Sequence, residues 1–316
     1  MRRRAGRGLA LLAFALGIAL LLGVLLGPAG FPRGEVLWNL RVPRVALGLI
    51  VGAGLATCGA VLQGLTGNPL ADPYVLGSSS GAAVGISLAR LAGVPFASPL
   101  SFAFASLGAF AALALAWTLA RTGGRIPIER LVLAGIAVTT LGSALVVMAL
   151  HLSRRDAYII FSFLVGNLAE GDPAILATAG TVVGAGILAF VALARPLDAI
   201  ALGEEKARTL GVDVEKTTVL LAAIVSAMVG CIVAVSGLIG FVGLFVPHAA
   251  RRFVGPAHRV LLVATALLGA AFLVGVDAIA RTAAAPSEFP VGVLTSLLGA
   301  PAFLYVLRRR IRPRLA

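Results

Sequence analysis

One segment of this sequence has residue types that could bind a phosphate. It reads Gly-Val-Asp-Val-Glu-Lys-Thr and covers residues 211–217. A phosphate-binding loop needs a glycine directly before its lysine, so that backbone N–H groups can wrap the phosphates. Glu215 stands there instead, and its carboxylate would repel them. The sequence therefore predicts that this chain is not an enzyme, and that any ATPase is a separate chain.

Side chains that could relay ions or hold a metal are few and scattered. Asp277 and His248 lie near the ends of apolar runs, and His151 and His258 lie in or beside loops. Ion-coupled carriers usually place acidic or histidine side chains inside their spans, and a zinc site needs its ligands close together. We therefore predict no metal site and keep an ion-coupled secondary transporter only as the alternative function. A membrane-embedded enzyme is a more distant alternative.

The composition requires lipid as the solvent of this chain. Of its 316 residues, 59% are hydrophobic and 12% are charged, and the mean hydropathy is +1.03. No polar interval is long enough for a soluble domain, so residues 1–316 are predicted to form a single transmembrane domain. The net charge of +13 does not indicate nucleic acid binding, because the basic residues stand beside apolar runs without interleaved aromatics. Cys58 and Cys231 lie within apolar runs, where a thiol behaves as a small hydrophobe.

Several apolar runs approach the length that crosses a membrane, about 20 residues for a core of about 30 Å. The predicted all-α fold has about ten transmembrane helices, at 9–26, 45–65, 75–91, 102–120, 131–151, 175–194, 219–235, 239–250, 260–276 and 291–307. The eighth is too short alone and must borrow the stretch before it or bend within protein. Most of the 26 Lys and Arg residues fall on the side of the N-terminus, so the positive-inside rule places both termini in the cytoplasm.

Two stretches interrupt this helical pattern with Gly, Pro, Asn and Gln. The first is 59–82, and the second is 236–248, where the chain crosses in the opposite sense. Backbone that leaves a helix at membrane depth is tolerated only where protein or a water-filled path satisfies its polar groups. The breaks therefore indicate a transport pathway and an inverted repeat. Close packing of helices through glycine is the alternative explanation.

The longest polar stretch inside the chain, residues 197–216, predicts a short amphipathic helix at the surface. Gly203 and Gly211 bracket it as start and stop signals. Its predicted apolar face is made by Leu202, Ala207 and Leu210. Its predicted charged face is made by Glu204, Glu205, Lys206 and Arg208. Such a helix can lie in the groove of a partner, whereas the alternative is an ordinary solvated loop.

Seven blocks of sequence, in order along the chain, resemble one known family. They are RVPR at 41–44, the block from Gln63 through NPLADPYVLG at 68–77 to Gly81, LAGIA at 133–137, LGEEKARTLGV at 202–212, GLIGFVGLFVPHAAR at 237–251, Asp277 with Arg281, and EFPVGVLTSLLGAPAFLYVL at 288–307. The chain resembles the permeases of type II ABC importers for iron siderophores, haem and cobalamin, the FecCD-type permeases.

The resemblance implies a multi-pass protein of the prokaryotic cytoplasmic (inner) membrane, in which two copies of the chain surround a central pathway. It also implies two separate ATPase subunits that use ATP and Mg²⁺, and an extracytoplasmic binding protein that delivers a metal chelate. No cofactor is expected on the permease chain itself. For the substrate, we rank ferric siderophore first, haem second and cobalamin third.

The resemblance assigns a docking role to three arginines. Arg41 and Arg44 match outward arginines that in the family meet acidic residues of the binding protein, and we expect Arg281 to join them. Charges at the rim of an interface mainly steer the encounter and fix the orientation of the partners. Anchoring at lipid headgroups is the alternative role for these side chains.

The resemblance assigns two further roles on the inner side. Asn68, Pro69 and Leu70 match the turn of the inner gate, where a small polar and an apolar side chain from each subunit close the path. Proline at the centre would hold that turn rigid. The segment from Gly203 to Gly211 matches the coupling helices that seat on the ATPase, which favours the amphipathic helix over the solvated loop.

Three features depart from the family pattern or leave it open. Phe161 stands where the family usually has Trp, in an outer segment that shapes the substrate entrance. The Ile128-Glu129 turn lacks the small hydroxyl residues of some relatives, so a second gate is unassigned. His151 and Tyr158 lie near the expected outer mouth, where a haem transporter could use a ligand.

Overall fold

The fold is built from helices, which account for every regular element in the residues described. The computed structural model describes residues 2–27, 34–95, 98–121, 128–153, 161, 164–168, 173–285 and 287–311. Its α-helices, in chain order, are α1 (Arg2–Leu25), α2 (Val42–Thr66), α3 (Ser78–Leu91), α4 (Pro99–Ala120), α5 (Ile128–Leu152), α6 (Pro173–Ala192), α7 (Ala194–Ala201), α8 (Glu204–Thr209), α9 (Val214–Ser236), α10 (Val242–Val254), α11 (His258–Thr282) and α12 (Val291–Ile311). A π-helix (Val36–Arg41) leads into α2, and a 3-10 helix (Pro73–Leu76) precedes α3.

A helix lies on each of the ten predicted spans. Within the described residues, seven are long and apolar enough to cross a membrane, namely α1, α2, α4, α5, α6, α9 and α11. Helix α3 has 14 residues and α10 has 13, and at 1.5 Å per residue neither crosses a core of about 30 Å. The all-α membrane fold is thereby confirmed, and the number of ten complete spans stays a prediction.

Helix α2 is the centre of the bundle and the most buried of the seven long helices. It packs on α11 and on α10 through pairs of glycines. A methyl group at Gly52 or Gly269 would overlap the carbonyl oxygen of the other, and one at Gly59 would overlap the backbone of Gly243. Small residues let the backbones approach this closely, and dispersion contacts then hold helices together in lipid.

Both predicted breaks are present, each narrower than the sequence pattern suggested. The first covers 67–77, where α2 ends at Gly67 with φ of +59° and α3 starts after Gly77 with φ of +83°. The second covers 237–241 and ends at Phe241. Among the described residues, Phe241 is the non-glycine residue with a positive φ, at +67°. Left-handed backbone ends a helix because the next N–H no longer reaches its carbonyl partner. The predicted third and eighth spans therefore begin too early.

The polar stretch 197–216 contains two short helices, where the sequence predicted one. Helix α7 covers its start, with Leu197 and Ile200 buried, and α8 follows after Leu202 and Gly203. Gly203 separates the two helices, because its φ of +111° is not helical. Glycine suits this position, since an L side chain rarely adopts that backbone conformation. Gly211 follows the end of α8 with φ of +79°, as the stop signal predicted.

Candidate functional site

The predicted docking arginines belong to a cluster of charges at one end of α2 and α11. Asp277 is buried and accepts from both sides: Arg44 Nη2 lies 2.9 Å from its Oδ1, and Arg281 Nε lies 3.0 Å from its Oδ2. Arg44 also pairs with Glu288, its Nη1 lying 2.8 Å from Oε2. A buried carboxylate needs this compensation, because removing its charge from water costs several kcal/mol. We call Arg41, Arg44, Asp277, Arg281 and Glu288 the outer cluster.

Two arginines of the outer cluster also hold the end of α1. Arg41 Nη1 donates to the carbonyl of Leu25 at 2.7 Å, and Arg281 Nη2 donates to that of Gly23 at 2.8 Å. The last carbonyls of a helix have no intrahelical partner and carry a partial negative charge, which a cation offsets. The guanidinium groups therefore supply hydrogen-bond donors to the last carbonyls of α1.

This arrangement places the docking arginines deeper than the sequence suggested. Arg41 and Arg281 are buried, and the side chain of Arg44 is 11% exposed, whereas that of Glu288 is 37% exposed. Neither the docking role nor lipid anchoring is tested by these contacts, and both stay predictions. Arg44, the least buried of the three arginines, is already paired with two carboxylates.

At the other end of α2, the first break forms a tight turn. Asn68 Oδ1 accepts from the N–H of Leu70 at 2.9 Å, and the carbonyl of Asn68 accepts from the N–H of Ala71 at 3.1 Å. Pro69 sits between them and fixes its own φ, which limits the conformations of the turn. Asn68 and Leu70 are exposed, the latter by 42%. The predicted gate residues thus share one turn on the surface of this chain.

The two breaks are tied to each other. Tyr74 Oη accepts from the N–H of Ile239 in the second break at 2.5 Å. Asp72 caps the intervening 3-10 helix by accepting from the N–H of Tyr74 at 2.9 Å, and burial raises the pKa of its carboxyl to about 6. A further tie joins α3 to α9, where the hydroxyls of Ser78 and Ser226 lie 3.0 Å apart. Two backbone N–H groups in the breaks, those of Tyr74 and Ile239, therefore have partners inside the protein.

Gln63 links the same end of α2 to α10. Its Nε2 donates to the carbonyls of Gly243 at 3.3 Å and Leu244 at 3.2 Å, and its Oε1 accepts from Arg251. Gln63 is buried, so these bonds satisfy an amide that would otherwise be costly in an apolar setting. We call the turn 67–77 together with Gln63 the inner break.

The predicted coupling residues separate into an inward and an outward group. Ala207 is fully buried, while Leu202 and Leu210, at the two ends of α8, are 63% and 66% exposed. Glu204 and Glu205 are exposed in the first turn of α8, where negative charge offsets the helix dipole. The single apolar face predicted for these three residues is thus divided, and two leucines project from the surface.

The FecCD transport family matches residues 8–309 of this sequence. The chain belongs to the FecCD transport family. It is 44% identical over 278 residues to the cobalamin import system permease protein BtuC of Halobacterium salinarum, covering 87% of this chain and 74% of that protein. It is 40% identical over 284 residues to the hemin transport system permease protein HmuU of Yersinia pestis, covering 87% and 84%.

A solved structure carries the same relation into three dimensions. A metal-chelate type ABC transporter in an inward-facing conformation has a TM-score of 0.87 with this FecCD chain at 31% identity, covering 96% of this chain and 99% of that one. The expected family and the expected location in a membrane are confirmed. The roles of individual residues are not tested by these likenesses.

Sequence reasoning missed most partners of the residues that it singled out in this FecCD chain. Glu288 and Gln63 were quoted within family blocks but given no role, although an amide inside an apolar run is itself a signal, since it must find partners. Asp198 and His258, which bond to each other, stand 60 residues apart, and no local pattern connects them. A cleft of about 550 Å³ lies between the gate turn and the coupling segment, lined in part by Pro69, Asp198 and His258.

The predicted outer segment around Phe161, which departs from the family pattern, is only partly described. Phe161 is exposed, and Asn167 donates its N–H to the carbonyl of Ser236 at 2.8 Å beside the second break. His151 is exposed at the end of α5. Tyr158 lies outside the described residues. A role for these residues in substrate entry therefore stays a prediction.

Proposed function

We propose that this FecCD chain is the transmembrane permease of an ABC importer, which moves a metal chelate from a binding protein into the cytoplasm. The observation that carries this proposal is the backbone match, over almost the whole chain, with a metal-chelate type ABC transporter. The ATPase would be a separate subunit that uses ATP and Mg²⁺, and we expect no ATPase activity from this chain. An ion-coupled secondary transporter is the second candidate, which the scarcity of acidic side chains in the spans disfavours.

The proposed topology has ten spans with both termini in the cytoplasm and an inverted repeat. In support, each break follows a helix of 25 or 23 residues and precedes one of 14 or 13 residues. Helices α2 and α9 are therefore in equivalent positions, because each is a long helix followed by a break and a shorter helix. With the N-terminus inside, the outer cluster faces the extracytoplasmic side, and the inner break and coupling segment face the cytoplasm.

In the proposed gate, Asn68, Pro69 and Leu70 from two copies of the chain close the path at its inner end. The exposure of Asn68 and Leu70 supports this role. Burial of the apolar Leu70 side chain against a second copy of the chain would lower the free energy of the assembly. The bonds within the turn keep its shape while it is uncovered.

In the proposed coupling step, α7 and α8 seat on the ATPase. Leu202 and Leu210 are the apolar anchors available on this surface, and Glu204 and Glu205 add charge between them. Closure of the ATPase dimer would then move the attached helices as rigid bodies. At the outer end, Arg41, Arg44 and Arg281 would receive the acidic residues of the binding protein.

The deciding experiment is uptake into proteoliposomes that contain this chain, its ATPase and its binding protein. The substrates are a labelled ferric siderophore, haem and cobalamin, in the order in which we rank them; the relatives named above add weight to the last two. Uptake that needs ATP and both partners would establish the importer and identify the chelate. Uptake by this chain alone, driven by an ion gradient and indifferent to ATP, would establish the secondary transporter instead.

A further inference from the structure

Helix α11 has a polar anchor at each end. Asp277 and Arg281, near its C-terminus, belong to the outer cluster. His258, at its N-terminus, bonds to Asp198 of α7: its N–H donates to Oδ1 at 2.9 Å, and its Nδ1 lies 2.6 Å from the same oxygen. At 1.5 Å per residue, His258 and Asp277 are roughly 28 Å apart along the helix. One element thus joins the proposed docking surface to the proposed coupling segment.

The pair α2 and α11 has the features of a stiff rod. Proline interrupts α10 at Pro247 and α12 at Pro301, but the sequence of α11 contains none, and sharp kinks in helices usually arise at proline. Gly52 and Gly269 bring the two backbones into direct contact, without side chains between them. Arg44 of α2 and Asp277 of α11 lock the outer ends together.

The ring of His258 has one polar contact among the described residues. Its Nε2 is buried without a hydrogen-bond partner, against Gly64, where an added Cβ would lie 2.6 Å away. Its Nδ1 meets Asp198, whose side chain is 40% exposed at the rim of the 550 Å³ cleft. A buried nitrogen without a partner is unfavourable. The bond from Nδ1 to Asp198 is therefore the polar contact that stabilises the ring in this position.

We propose that α11, clamped to α2, transmits docking of the binding protein to the coupling segment, and that His258 and Asp198 are the positioning residues of this connection. This inference rests on the proposed function. The outer cluster holds one end of the rod, and the His258–Asp198 contact fixes the other end to α7. Loss of the contact would let α7 move independently of the rod, so that docking would no longer reach the ATPase.

The test compares substitutions of matched shape in the complete importer in proteoliposomes. His258→Asn keeps an amide donor near the position of Nδ1, whereas His258→Leu has the same branched shape without a donor. Asp198→Asn and Asp198→Leu form the same comparison on the acceptor side, at a half-exposed position where folding is less at risk. The readout is the ratio of ATP hydrolysis with saturating binding protein to that without it.

We expect both Leu variants to lower this ratio about threefold or more and both Asn variants to retain it. Asp198→Leu removes the bonds from both the N–H and the Nδ1 of His258, so the double Leu variant should be no worse than Asp198→Leu alone. Equal ratios for Asn and Leu at each position, or additive losses in the double variant, would overturn the inference, since a space-filling role would affect both shapes alike. If His258→Leu does not assemble, the Asp198 comparison decides alone. Absence of ATP-driven uptake by the parent importer would instead count against the proposed function.

Discussion

The two ends of α2 are held in different ways. At the outer cluster, three guanidinium groups meet two carboxylates and the carbonyls of α1. At the inner break, the bonds described are made by one amide, one phenol and backbone groups. Arg251 and Asp72 are the charged partners in these bonds. Charge-assisted bonds are roughly twice as strong as neutral ones. Under the proposed function, the outer end of α2 would stay fixed while the turn at 67–77 rearranges, and the difference in bonding suits those two roles.

The largest expected effect is at the outer cluster. Asp277→Asn should lower the free energy of unfolding by about 3 to 5 kcal/mol, because it leaves Arg281 buried without its counter-charge. Thermal unfolding of the purified protein in detergent measures the change. Glu288→Gln is the control, since a half-exposed pair contributes about 1 kcal/mol or less. Equal losses from the two substitutions would contradict the description of Asp277 as the centre of the cluster.

A smaller loss is expected at the inner break. Gln63→Leu removes the bonds to the Gly243 and Leu244 carbonyls and to Arg251, and should cost about 1 to 3 kcal/mol. Gln63→Glu serves as the comparison, because a carboxylate can still accept from Arg251. The same unfolding assay applies. A loss as large as that of Asp277→Asn would remove the contrast between the two ends.

A third prediction concerns pH at the first break. The pKa of Asp72 is raised from its ordinary 3.8 to about 6. Between these two pH values, the folded state keeps a proton that the unfolded chain has released. The free energy of unfolding should therefore fall as pH rises from about 4 to about 6 and stay level above it, by about 1 to 3 kcal/mol. Asp72→Asn keeps the cap on the 3-10 helix and should abolish this fall. A pH profile unchanged by the substitution would show that Asp72 is not its source.

The membrane class and the helix positions could be predicted from the sequence because apolar length and glycine content act locally. The eighth span was expected to be short, and α10 has 13 residues. The start of α10 could not be located, because Phe241 adopts a left-handed backbone that its residue type does not favour. Contacts with Tyr74 and Gly299 hold this stretch in place, and such contacts are tertiary.

The candidate site was predicted as separate residues, and its connections came only from the structure. Arg44 and Asp277 are 233 positions apart, and Gln63 and Arg251 are 188 apart. Periodicity reports which face of a helix is buried, not which helix covers it. The burial of Ala207 between two exposed leucines is a similar case, because a six-residue helix gives too few turns for a face to be recognised.

The smallest effect on folding, and the most specific effect on function, is expected at the gate. Leu70 is 42% exposed, so Leu70→Ala should change the free energy of unfolding by less than about 0.5 kcal/mol. The matched control is Leu188→Ala on α6, at a leucine that is 72% exposed. If Leu70 closes the path with its copy in a second subunit, only Leu70→Ala should let preloaded substrate leave proteoliposomes without ATP. Equal efflux from both variants would contradict a gate role for Leu70, and its exposure would then be that of an ordinary surface residue.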